Sequence, residues 1–412
     1  MRPATRSLHL PLTILLGASV ASAQAPAGRA PAAEARVAPS AKPRLASWPA
    51  FESYFREAVA RHGVVGGSLM LVQGGEIVGE TRAGLMDQAA GRPVERDTIF
   101  HWASVTKTLT GIAILQLRDA GRLSLDDPAV KHLPELRQVR SPFGPIEEVT
   151  LRRLLSHTAG FRAGTWPWGG DQPWHPFEPA RYEQLAAMLP YTELLFRPGA
   201  RFSYSNPGIV FLGRIVEQLT GEDYEVYLDK NVLRPLGMRD SYFDRAPRYL
   251  RARRAHSYLR DDSGLHEQPF DFDTGVTVSN GGLMAPLPDM ARYLAFLLGS
   301  PREAAADLVL KRSSLLEMWE PQIAITDGEA GQEAVGLCFF VERHAGRRLI
   351  AHSGDQAGFI LHLYLDPEQG AGWVVAFNSD GGERAADRGG RTRALDHEVR
   401  DRLLRDVWPT LP

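Results

Sequence analysis

Residues 104–121 read SVTKTLTGIAILQLRDAG, and the reading of this stretch decides the fold. Ile112, Ile114, Leu115 and Leu117 spread around a helical circumference, so the spacing predicts a helix over 104–120 that is buried on most sides. Gly121 is placed to end it, as a residue free to turn left-handed. The helix opens on Ser104-Val105-Thr106-Lys107. A spacing of three puts the Ser104 hydroxyl and the Lys107 amine on one face, within reach of each other. The first turn favours negative charge developing on oxygen and disfavours an ammonium. Burial acts in the same direction on the lysine, which could then accept the Ser104 proton. An arginine could not, because it stays protonated. The chain otherwise uses lysine only at positions 42, 131, 230 and 311 and carries arginine nearly everywhere else, so Lys107 stands out.

Outward from this helix, the two ends of the chain read alike. Phe51, Phe55, Ala58 and Val59 recur at helical spacing before Gly63. Residues 68–72 and 77–80 read as strands of a hairpin joined across Gly74-Gly75. Strands return at 335–341, 348–351, 359–365 and 373–377, and 393–407 closes the chain as a helix. The stretch between mixes short helical patterns with Pro- and Gly-rich turns. The expected architecture is α+β: one antiparallel sheet built from both chain ends, 48–121 and 331–412, with a mainly helical domain, 122–330, inserted.

The 412 residues are 44% hydrophobic and 23% charged, an ordinary globular balance. Lys and Arg number 47 against 49 Asp and Glu, for a net charge of −2. No basic field is available for nucleic acid, which is excluded as a partner. One cysteine, Cys338, rules out an internal disulfide and Cys-based zinc sites, and no metal or cofactor is expected. Cys338 lies in an apolar run and reads as a core residue. Arg2 and Arg6, the apolar stretch 8–20 and Ala21-Ser22-Ala23 form a basic, apolar and small-residue series. It reads as a signal peptide over 1–23, cleaved near Ala23, which implies a periplasmic or secreted protein. The apolar stretch is shorter than the roughly 20 residues a membrane span needs. Residues 24–47, rich in Ala and Pro, read as a disordered tether.

Two further motifs carry chemistry. Tyr204-Ser205-Asn206 precedes a helix starting near Pro207, and its hydroxyl and amide can point into one cleft. His352-Ser353-Gly354 falls between two strands, where glycine lets backbone approach a ligand. Alone, an S-x-x-K match is expected by accident ~0.3 times in a chain of this composition; all three motifs together are expected roughly 0.003 times. Neither a G-x-S-x-G elbow nor a complete H-E-x-x-H is present.

S-x-x-K, Y-x-N and [KH]-[ST]-G in this order resemble the serine β-lactamase and penicillin-binding superfamily, in its class C-like branch. That branch includes D,D-carboxypeptidases, D-aminopeptidases and esterases. The stretches Leu154-Leu155-Ser156-His157-Thr158-Ala159-Gly160 and Gly281-Gly282-Leu283 match as well. The resemblance spans about residues 48–407 and implies a five-stranded sheet with the site in the cleft beside the inserted domain. By resemblance, Ser104 is the nucleophile, and Lys107 and Tyr204 share acid and base duties. Asn206 holds Lys107 and the substrate. The backbone N–H groups of Ser104 and Asp355 form the oxyanion hole, and His352 steadies the Tyr204 hydroxyl.

The resemblance implies hydrolysis of an ester, an amide or a D-amino-acid peptide, a small-molecule or peptide-like substrate. A histidine in the third motif is a weaker cation than lysine, and Asp355 adds a negative charge, which weighs against a true β-lactamase. An idle module that binds a peptidoglycan-like ligand is the contrasting class. The aromatics Trp166, Trp168, Trp174, His175 and Phe177 read either as an acyl-group wall or as a self-pinned loop. His157 reads as structural, and Arg251, Arg253 and Arg254 read as a solvated basic face.

Overall fold

The computed structural model describes residues 45–164, 179–271, 273–299, 306–326, 328, 331–380 and 390–412. Residues 1–23, expected to be a signal peptide, most of the Ala/Pro-rich stretch after them, and the aromatic cluster 166–177 lie outside the described residues.

At the N-terminal end a continuous apolar run forms β1 (Gly66–Gln73), buried along nearly its whole length, and the half-buried β2 (Glu76–Asp87) follows. Gly74 and Gly75 join them, with φ of 55° and 81°, the left-handed pair that a two-residue hairpin turn requires. β3 (Arg92–Pro93) pairs with β2. The C-terminal end supplies β4 (Ile323–Ala324), β5 (Gln332–Val335), β6 (Phe340–His344), β7 (Arg347–Gln356), β8 (Phe359–Asp366) and β9 (Ala371–Phe377). They form one sheet in the order β3-β2-β1-β9-β8-β7-β6-β5-β4. Every pair is antiparallel, and β1 meets β9 with Leu69 opposite Val375. The sheet is therefore built from both chain ends. Its long strands, β2, β1, β9, β8 and β7, are contiguous and account for the expected five; short strands widen it on both sides.

Helices cover both faces, so the central strands are apolar on both sides. Along β9, Trp373, Val375 and Phe377 pack with α1 (Trp48–Arg61) and α5 (Gly390–Asp406) through Phe51, Phe55, Leu395 and Val399. Val374 and Ala376 face the other way, into a core shared with α2 (Thr106–Asp119), α3 (Asn206–Thr220) and α4 (Leu287–Leu298). As expected, α2 is buried on nearly every side. Its threonines survive there because each hydroxyl is partnered: Thr108 donates to Val105 O at 2.7 Å and Thr110 to Ser279 O at 2.5 Å. Among the described residues no helix is long and apolar enough to cross a membrane.

Three local expectations are corrected. The apolar run 335–341 is not one strand but the turn between β5 and β6. Cys338 sits there at φ 60°, and Leu337 N–H and Cys338 N–H donate to Met318 O (2.8 Å) and Leu155 O (2.9 Å). A buried turn satisfied by distant carbonyls has the composition of a strand. His352-Ser353-Gly354 lies inside β7 rather than between strands. Arg254 is no solvated residue: it is buried, with its guanidinium 5.0 Å from the Phe270 ring centre.

Candidate active site

The cleft is assembled where α2, the approach to α3 and the end of β7 converge. Trp102 anchors the turn before α2, its N–H bonding Leu283 O (2.7 Å) and its indole bonding Ala285 O (2.9 Å). Ala103 takes a left-handed φ of 44°, a strained value for a residue with a side chain. Ser104 follows in a single 3-10 turn, half-buried, at the mouth of α2. Pairing of β7 with β6 ends at Ala351 opposite Phe340, so the motif residues beyond it have no strand on that side. That open edge packs on the Ser104 turn. A Cβ on Gly354 would lie 2.5 Å from Trp102 O, so only glycine allows this approach.

Lys107, one turn into α2, is fully buried. Its Nζ donates to Ser104 Oγ at 3.0 Å and to the Asn280 carbonyl at 2.9 Å, and lies 5.0 Å from the Tyr204 ring centre. Burial pushes the amine down from its usual range to about 7. A lysine so placed exists partly as free amine at neutral pH and can take a proton from the hydroxyl it touches. Tyr204 is shifted the other way: burial raises its phenol above its ordinary value, and the nearby Ser104 opposes part of that rise. It stays protonated and can donate.

Ser205 caps α3 by accepting from Gly208 N–H at 3.2 Å, and Pro207 opens the helix as expected. Asn206 and Tyr204 thereby leave the chain at the cleft. The expected hold of Asn206 on Lys107 is absent among the described hydrogen bonds; the amine's second acceptor is the Asn280 carbonyl instead. The Asn206 Oδ1 is buried with no partner. His352 likewise makes no described hydrogen bond to Tyr204. Its Nδ1 is 2.7 Å from Ser353 O, and burial together with the nearby Lys107 lowers its pKa to about 3. His352 is thus neutral at pH 7.

The pleat of β7 settles where Asp355 points. Ser353 lies opposite His362, and Asp355 opposite Ile360, on the α5 side of the sheet. The Asp355 carboxylate is held by Arg393 of α5 at 3.0 Å, so it is paired and turned from Ser104. Asn280 is a site residue that reading the sequence misses. Its contribution is a backbone carbonyl, which any residue type could supply; the adjoining Gly281-Gly282 was the available signal. Cys338 is buried in the core as expected, its thiol pushed up to about 12 by burial. Among the described residues no cluster of metal-ligating side chains occurs.

Residues 51–397 match the family model described as Beta-lactamase. Protein flp of Staphylococcus aureus (strain COL) is 27% identical over 316 residues, 76% of this chain and 60% of its own length. The chain thus spans about 60% of the length of such curated relatives. Esterase EstB of Burkholderia gladioli is 34% identical over 201 residues, 47% of this chain and 50% of that protein. Among solved structures, the octameric penicillin-binding protein homologue from Pyrococcus abyssi superposes with a TM-score of 0.71 at 29% identity, covering 86% of this chain and 77% of that one. A D-amino acid amidase from Ochrobactrum anthropi SV3 shares the fold, with a TM-score of 0.74 at 23% identity, over 88% of this chain and 98% of that one.

Proposed function

Because the chain belongs to the beta-lactamase family, we propose that it is a serine hydrolase cleaving an ester, an amide or a D-amino-acid peptide through an acyl-serine intermediate. One observation carries the proposal: a buried amine, lowered to about 7, 3.0 Å from a hydroxyl that remains accessible from the cleft. In the first half-reaction Ser104 Oγ attacks the substrate carbonyl carbon while its proton passes to neutral Lys107. The N–H groups of Ser104 and Asp355 receive the developing oxyanion. Collapse breaks the ester or amide bond, and the leaving oxygen or nitrogen takes a proton relayed by Tyr204 from Lys107. Water then attacks the acyl group by the same path in reverse, restoring Ser104 and releasing the acid. Assigning the base to Lys107 and the relay to Tyr204 follows from their opposite shifts: the first is free at neutral pH and the second is not.

The third motif points away from substrates that need a cationic clamp. His352 is neutral and buried, and Arg393 is engaged by Asp355. An ester or an amide without an obligatory carboxylate fits better than a β-lactam, and the likeness to Esterase EstB supports this preference. The basic, apolar and small-residue series over 1–23 supports export with cleavage near Ala23, which N-terminal sequencing of the mature chain would check.

The test is intact-mass spectrometry after exposure to a fluorophosphonate, beside a Ser104→Ala control, followed by hydrolysis of p-nitrophenyl butyrate, a D-amino-acid p-nitroanilide and a penicillin. One adduct, absent from the control, with the ester or anilide turned over faster than the penicillin, is the expected result. Rapid penicillin turnover would replace this reading with a β-lactamase. No adduct on the folded protein would replace it with a binding module.

A further inference from the structure

His157 follows the short helix Leu151–Leu155 and occupies a left-handed φ of 54°, uncommon for a residue with a side chain. It is buried and carries no charge that the fold would need. Its contacts nonetheless converge on one neighbour. The His157 carbonyl accepts from Ser203 N–H at 2.8 Å, and its Nδ1 accepts from Ser205 N–H at 3.1 Å. Between these two anchors sits Tyr204, whose ring stacks on the imidazole at 4.5 Å and 28°. Phe202 meets the same imidazole edge-on at 6.2 Å. One residue thus grips the chain on both sides of Tyr204 and supports its ring from behind.

We propose that His157 is the positioning residue for Tyr204, fixing the phenol against Ser104 and Lys107 through the double backbone anchor and the ring stack. The proposal rests on the reading of Tyr204 as proton relay given above. The strained backbone is what turns the imidazole beneath the Tyr204 ring, and a histidine meets three demands together. It offers a flat face for the stack, an acceptor at the δ position for Ser205, and no charge. Since Nδ1 accepts a hydrogen bond, the ring's single proton is on Nε2. Protonation would set Nδ1–H against Ser205 N–H, and burial with the nearby Lys107 and His352 holds the imidazole well below its ordinary range. Phenylalanine would keep the stack and lose the acceptor. Asparagine would keep an acceptor at the same position and tolerates left-handed backbone, but loses the stack.

The experiment compares kcat/KM against pH for wild type, His157→Phe and His157→Asn, each checked for native near-UV circular dichroism, with fluorophosphonate labelling of wild type alongside. In His157→Phe, kcat/KM is expected to fall about 100-fold. Its acid limb is expected to move to higher pH, because Tyr204, released from the Ser205 anchor, shifts off Lys107 and lets water relieve the burial that depresses the amine. His157→Asn should recover at least about tenfold of the loss. Nitrogen-15 NMR of the intact wild type, independent of any variant's folding, should find His157 neutral and protonated on Nε2 from about pH 6 to about pH 8, a window that spans the ordinary histidine value of about 6.5. Wild-type kcat/KM and an unmoved limb in folded His157→Phe would overturn the proposal, as would a proton on Nδ1. Failure of wild type to label would instead overturn the serine mechanism beneath it.

Discussion

In the proposed mechanism Lys107 is the side chain on which the chemistry turns, and the fold holds it at a cost. Below pH 7 its ammonium is desolvated against an alcohol, a carbonyl and an aromatic ring, with no carboxylate among its hydrogen bonds. Its folded pKa of about 7 lies below the unfolded value near 10.4, so between these limits the unfolded chain binds the extra proton. Wild-type stability contributed by this group therefore rises with pH across the window and is lowest at and below pH 7. Lys107→Met should abolish acylation yet raise stability at pH 6 by on the order of 1–4 kcal/mol. The gain should shrink as pH rises toward 10, which thermal melts across pH would record. The convergence of Ser104, Lys107 and Tyr204 was legible in the sequence because these residue types in this order are distinctive. Asn280 was not, because a backbone carbonyl does the holding, and the fit of His157 depends on a dihedral angle that no residue name conveys.

At the scale of elements, the close approach of β7 to the turn before α2 defines the cleft. The sequence placed His352-Ser353-Gly354 between strands, since Ser and Gly read as turn residues, whereas β7 continues through all three. Its glycine is there for closeness: the missing Cβ leaves room for Trp102 O, and a methyl group would push β7 off the Ser104 turn. Gly354→Ala should lower stability by about 1–3 kcal/mol. It should lower the acylation rate more than that loss implies, on the order of 100-fold, because the N–H of Asp355 moves with the strand. Denaturant melts and labelling rates on the same sample separate the two effects. The apolar run 335–341 misled for the opposite reason: it is a turn whose N–H groups reach Met318 and Leu155, so its burial conceals its shape.

For the whole molecule, the decisive pairing joins β1 to β9, residues 66–73 against 371–377. Apolar runs bounded by turn residues at the two ends made that sheet legible, while the widths of its edges were not, because strands of two to five residues carry too little pattern. With Leu395, Val399 and Leu403 of α5 completing the core over α1, neither end should be stable without the other. A chain stopped after residue 389 should lack the cooperative thermal transition that circular dichroism is expected to record for the full chain; a native-like melt would show that α5 is dispensable. The protonation state of Lys107, buried in α2 on the other face of that sheet, is the central claim. It is read most directly by the rate of fluorophosphonate acylation of Ser104 as a function of pH. A neutral lysine acting as base predicts a rate that climbs through a single limb near pH 7 and vanishes in Lys107→Arg. A limb near the ordinary lysine value of about 10, or an arginine variant that still acylates, would contradict it.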